Sequence, residues 1–212
     1  MRGRAILVID TLAERERGYI IGFFLGDGYM NHNKKDRHYR VEFIYNSKRD
    51  NLIMLYMERL FRKCGLNPFF VRDKRYNSIS MRINSKSLME DVRNLVSGLE
   101  KPSNSEYKLG VVSGFIDAEG YVNNGEILVS QKDERVINTI KELAEKAGVD
   151  VLKLWWTDNP KSVFGIWKMR LSTSFKYLPH NSIKVASKYS GVEQGNAVCS
   201  DYPRSLECSL GS

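Results

Sequence analysis

The chain has 212 residues, 42% of them hydrophobic, and carries 33 basic against 25 acidic residues for a net charge of +8. This composition supports a packed core and excludes a disordered chain, while the charge excess suits a polyanionic partner, nucleic acid first. No apolar run reaches the roughly 18 residues of a membrane span, and the first ten residues lack a signal-peptide pattern, so the expectation is an intracellular protein (cytoplasmic in a prokaryote) with no membrane partner.

In chain order, Thr11-Leu12-Ala13-Glu14 fits a capping box and predicts a helix running to about Gly26. Its second half, Tyr19-Ile20-Ile21-Gly22-Phe23-Phe24-Leu25-Gly26-Asp27-Gly28, is apolar all round. Gly22 and Gly26, four apart, share a face that lets a second helix approach closely. Residues 31–38 read as a hairpin loop. In 39–45 Tyr39, Val41, Phe43 and Tyr45 alternate with Arg40 and Glu42 as in a strand with one buried face. A helix is predicted over about 48–64, a hairpin over 68–74 and 76–84, and a helix capped by Ser85 to about 96.

The order then repeats. Val112-Ser113-Gly114-Phe115-Ile116-Asp117-Ala118-Glu119-Gly120 is a variant of the first motif, with glycines and terminal acids both displaced by 92 positions (114 − 22 and 119 − 27). Ser103 precedes Gly114 by the 11 residues that separate Thr11 from Gly22, which predicts a second capping box. A strand over 126–131, a helix over 133–147, a hairpin over 149–156 and 163–171, and a helix over about 173–187 follow. The expected domains are a first αββαββα repeat over 10–98, a linker over 99–107, a second repeat over 108–189 and a polar tail over 190–212. Of the three cysteines, Cys64, Cys199 and Cys208, none forms a CxxC pair, which argues against zinc and for free thiols.

Two such repeats predict an α+β fold in which the motif helices pack through Gly22, Gly26, Gly114 and Ala118 about a pseudo-twofold axis. Asp27 and Glu119 would then lie side by side at two helix C-termini, where the helix dipoles and the two charges all disfavour them. A hard cation resolves that conflict. Two carboxylates with nearby carbonyls suit Mg²⁺, with Mn²⁺ as a substitute, and such a site can activate water against a phosphodiester. The hairpins predict a curved sheet whose open face carries Arg40, Arg72, Lys74, Arg82, Lys153, Lys168 and Arg170, a surface for duplex DNA.

The two motifs look like the LAGLIDADG motif, at 20–28 and 112–120, and over about residues 10–188 the chain resembles a single-chain LAGLIDADG homing endonuclease. The resemblance implies a monomer with two saddle-shaped antiparallel sheets and helices on the convex face. It implies metal-dependent cleavage of both strands of a long, imperfectly palindromic DNA site, leaving short 3′ overhangs. It puts Asp27 and Glu119 at the metal-binding positions, with the carbonyls of Gly26 and Ala118 as further ligands, and makes Asp117 a local hydrogen-bonding residue. A lysine near the scissile phosphates is expected; Lys168 fits, with Ser80 as its counterpart in the first half, and Lys48 and Lys132 are rivals. Gln131 matches a glutamine that orients water, where the first half has Asn46-Ser47. Two other readings stand beside the nuclease: a relative that grips DNA or an intron RNA without cutting, and a dimerisation fold with no site.

Overall fold

A computed structural model describes residues 8–33, 38–73, 75–99, 104–123, 125–158, 165–172 and 182–189. The first repeat runs α1 (Glu14–Asp27), β1 (Gly28–Asn33), β2 (His38–Asn46), α2 (Asn51–Lys63), β3 (Phe69–Asp73), β4 (Ser78–Asn84) and α3 (Lys86–Ser97). The second runs α4 (Ser105–Glu119), β5 (Gly120–Asn123), β6 (Glu126–Gln131), α5 (Glu134–Lys146), β7 (Val151–Thr157), β8 (Ile166–Ser172) and α6 (Ile183–Tyr189). Each repeat forms one antiparallel four-stranded sheet with equivalent strand orders, β1-β2-β4-β3 and β5-β6-β8-β7.

Alternation builds the core. Val41, Phe43 and Tyr45 of β2 with Met81 and Ile83 of β4 are buried against Ile53, Met57, Leu60 and Phe61 of α2 and Leu88, Met89 and Val92 of α3. In the second sheet Ile127, Val129, Met169 and Leu171 join Ile137, Ile140, Leu143 and Ala144 of α5. The odd and even residues of these strands face apart, so each sheet keeps one open face.

The two repeats join through α1 and α4, and the join depends on missing side chains. A Cβ on Gly22 would lie 1.9 Å from the Val111 carbonyl oxygen, and one on Gly114 would lie 2.1 Å from that of Tyr19. Gly18 and Gly110, which the sequence reading passed over, repeat the relation: 2.2 Å from the carbonyl oxygens of Tyr107 and Arg15 respectively. Backbone therefore packs on backbone along two turns of each helix, with equal partners on both sides, as a twofold relation requires.

The helix starts differ from the capping boxes expected at Thr11 and Ser103. The cap of α1 is Ala13, whose N–H donates to Glu16 Oε2 (3.2 Å), while the Thr11 hydroxyl faces Cys64 Sγ (3.7 Å). The cap of α4 is Asn104, whose Oδ1 accepts from the Tyr107 N–H at 2.7 Å. Residues 105–107, assigned to the linker, form the first turn of α4. Residues 31–33 and 38, read as loop, extend β1 and β2, because both strands continue their ladder to Asn33↔His38. The 190–212 tail, Cys199 and Cys208, and the predicted helix start over 173–181 lie outside the described residues. Among the described residues no helix is long and apolar enough to cross a membrane.

Candidate metal centre and nucleic-acid interface

The close seam carries α1 and α4 to a common end, where each stops at its acid and passes into a strand at Gly28 or Gly120. Gly26 completes the approach: a Cβ there would meet Ala118 Cβ at 2.5 Å and Glu119 Cγ at 2.9 Å. Asp27 and Glu119 are thus brought together from the two repeats. Burial first, then the charge of Glu119, pushes the Asp27 carboxyl up to about 7, with Asp50 adding to the rise and Lys184 opposing it. Burial also raises Glu119, against the pull of Lys184 and Lys132. Both acids are held where ionisation is costly.

Lys184 was missed by the sequence reading. Its Nζ donates to the carbonyl oxygens of Ala118 (3.3 Å) and Gly120 (3.4 Å). Asp117 puts it there. This carboxylate, 1% exposed, accepts from Tyr19 Oη (2.7 Å), Ser182 Oγ (2.6 Å), Ile183 N (2.8 Å) and Lys184 N (3.0 Å), tying the start of α6 to both motif helices. Asp117 is therefore the hydrogen-bonding residue expected of it. No local pattern marks Lys184, which is 65 residues beyond Glu119 (184 − 119) in a short helix.

The other predicted site residues divide. Lys132, next to Gln131, acts on Glu119, whereas Lys168 lies mid-strand opposite Ser130 and Trp155 on the open face. Lys48 lies in the turn after β2, its N–H on Asn46 Oδ1 (3.0 Å). Gln131 Oε1 accepts from the N–H groups of Lys132 (2.7 Å) and Asp133 (3.2 Å), which turns its NH₂ end free of the backbone.

Strand register corrects the matching of the halves. Phe43 faces Gly28 and Val129 faces Gly120, so Tyr45, not Asn46 or Ser47, is the counterpart of Gln131. The same register makes Ser80 the equivalent of Lys168 in the first sheet, since Met81 pairs Phe43 and Met169 pairs Val129.

On the open face, Arg40 and Arg82 both reach Glu42 (3.3 and 3.1 Å), and Arg170 reaches Glu126 (3.2 Å). Carboxylates on the same face thus partner these arginines. Lys153 and Arg170 flank the Trp155 ring at 5.2 and 5.7 Å. Arg72 is misplaced in the sequence reading: it pairs Ile79, whose neighbours Met81 and Ile83 point to the helices, so it belongs to the opposite side of the sheet. The run Phe69-Phe70-Val71 is apolar on both sides of this edge strand and hides the alternation. Lys74 lies outside the described residues.

The donor set fits a hard divalent cation. It offers two carboxylates and the C-terminal carbonyls of two helices, and nothing softer than oxygen. Among the described residues no group of three or more His, Cys, Asp or Glu gathers, so water, carbonyl or substrate oxygens would complete the shell. Tyr45 Oη adds to the fit: it is buried beside Asp27 and Asp50 and has no hydrogen-bond partner among the described residues.

Two glycine-seamed helices ending in paired acids above two four-stranded sheets define the LAGLIDADG fold, and the chain is a two-unit protein of that fold. Residues 106–152 match the family described as LAGLIDADG-like domain. The chain is 30% identical over 146 residues to the uncharacterized protein MJ0398 of Methanocaldococcus jannaschii, over 66% of this chain and 52% of that one, so it spans about half the length of that relative. Among solved structures it is similar to I-DmoI in complex with DNA and Ca, with a TM-score of 0.61 and 18% identity, over 76% of this chain and 84% of that one. It is also similar to the N-terminal LAGLIDADG domain of DUF199/WhiA, with a TM-score of 0.53 and 11% identity, over 88% and 89%. I-DmoI has further been solved with DNA and Mn.

Proposed function

We propose that the protein is a site-specific DNA endonuclease that uses a divalent cation, Mg²⁺ or Mn²⁺, at Asp27 and Glu119 to cut both strands of a duplex. The observation that carries this reading is the acid pair itself. A fold that only bound or only dimerised would gain stability by neutralising either acid, yet both are present, buried and driven together by the glycine seam.

Asp27 and Glu119, with the carbonyls of Gly26 and Ala118, would hold the cation. When bound, it supplies activation of water and neutralisation of charge at the phosphate. The chain supplies the rest. The seam sets the spacing of the acids, and with it the spacing of the two strands that are cut. Lys184 and Lys132 offset the negative charge of the acids and helix ends. The open sheet faces, with Lys153, Lys168, Arg170, Arg40 and Arg82, hold the duplex across the site. In each hydrolysis a water oxygen bonds to phosphorus, one P–O ester bond breaks, and the leaving oxygen takes up a proton.

Asp27→Asn or Glu119→Gln should reduce double-strand cleavage at least 100-fold while leaving duplex affinity in Ca²⁺ unchanged. Normal cutting by either variant would refute the reading.

One observation favours the alternative, a relative that binds DNA or intron RNA without cutting. Lys184 already supplies a positive charge to the Ala118 carbonyl, where a metal would bind. If the ammonium replaces a cation, Lys184→Met gains tight Mn²⁺ binding that the wild type lacks, a difference calorimetry would register.

A further inference from the structure

Tyr45 is the feature of the site that the proposed hydrolysis does not use. The side chain is 1% exposed and its ring stacks on Phe23 of α1, centroids 5.2 Å apart, so the phenol packs against the motif helix. There the hydroxyl lies in the fields of Asp27 and Asp50 and has no hydrogen-bond partner among the described residues. A buried hydroxyl left without a partner is destabilising, and a phenylalanine would fill the same space without that cost. The strand register sets Tyr45 at the position of Gln131 in the other repeat, whose Oε1 is occupied by two backbone N–H groups and whose free end is a donor. Phenol and carboxamide differ in shape but share one capability, hydrogen-bond donation.

We propose that Tyr45 is a positioning residue of the Asp27 half of the site, its hydroxyl donating to a water or phosphate oxygen held there, as the Gln131 carboxamide does in the Glu119 half. This rests on the nuclease reading. It goes beyond it by assigning each half a different donor: a rigid phenol fixed by stacking in one, an amide fixed by backbone N–H groups in the other.

Tyr45→Phe removes the oxygen alone and tests the assignment through two independent readouts. The first is urea unfolding of the metal-free protein. With no partner to lose, the variant should be at least as stable as the wild type; a hydroxyl that held the fold together would instead make the variant less stable and overturn the proposal. The second is strand-resolved cleavage in Mg²⁺. The variant should cut one strand about tenfold or more slowly, accumulate a nicked duplex and keep wild-type duplex affinity in Ca²⁺, and Gln131→Ala should slow the opposite strand. Equal slowing of both strands, or no slowing, would overturn the proposal while leaving the nuclease reading intact. A wild type that cuts nothing defeats the nuclease reading, and the proposal with it.

Discussion

The two repeats agree in backbone and disagree in surface. Their motif helices exchange the same contacts, glycine against carbonyl, and the sheets have the same strand order. In the row of the open face running through Tyr29 or Tyr121, the first sheet carries Tyr29, Glu42, Arg82 and Phe69, and the second carries Tyr121, Leu128, Arg170 and Lys153. In the next row toward the acids the first has Ile44, Ser80 and Val71 and the second has Ser130, Lys168 and Trp155. Residues that close the seam are duplicated because both sides must satisfy one geometry. Residues that face outward are free to differ because the seam geometry does not constrain them. The second sheet is the more cationic, and the first is the more apolar, with Ile44 43% exposed.

The shared part is the easiest to break. Gly22→Ala or Gly114→Ala drives a Cβ to 1.9 or 2.1 Å from a backbone carbonyl oxygen, so each should lower stability by about 3 kcal/mol or more, and Gly26→Ala, whose Cβ meets Ala118 Cβ at the longer distance of 2.5 Å, should cost less. Urea unfolding midpoints rank them.

Asp27 probes the same shared core through pH. Its folded pKa of about 7 exceeds the ordinary carboxylate value of 3.8, so between these pH values the folded state binds the extra proton and stability falls as pH rises. The metal-free Asp27→Asn variant should match the wild type near pH 4 and exceed it by on the order of 2 kcal/mol above pH 7, as thermal or urea unfolding at each pH would show.

The differing part gives the smallest effect. Apolar side chains in a major groove have thymine methyls as their natural contact. Replacing thymine by deoxyuridine under the first sheet should weaken binding in Ca²⁺ by about fourfold per methyl, and under the cationic second sheet by less.

The repeat, the fold class and the acid pair were legible in the sequence because each rests on local pattern: two glycines four apart, an acid at a fixed offset, and alternation in β2 and β4. What escaped depended on pairing across distance. The first hairpin is longer than its counterpart, with six paired positions in β1–β2 against four in β5–β6, so the offset of 92 at the acids falls to 86 at β2 (129 − 43) and hides Tyr45 as the counterpart of Gln131. Glu42 reads as a solvent residue in an alternating strand, yet two arginines from neighbouring registers bury it. Arg72 reads as open-face because its apolar edge strand has no alternation to follow. Lys184 reaches the acids because Asp117 and Tyr19 anchor the start of its helix, a contact between segments far apart in the chain.

The central claim is that the seam exists to hold a catalytic acid pair. Incubating the wild-type protein with a randomised duplex library, with Mg²⁺ or with chelator, and sequencing the cut ends tests it most directly. Cleavage of both strands at one related family of sites in Mg²⁺, absent with chelator and absent for Asp27→Asn, is the predicted result. Binding of a defined duplex with no Mg²⁺-dependent cutting would contradict it.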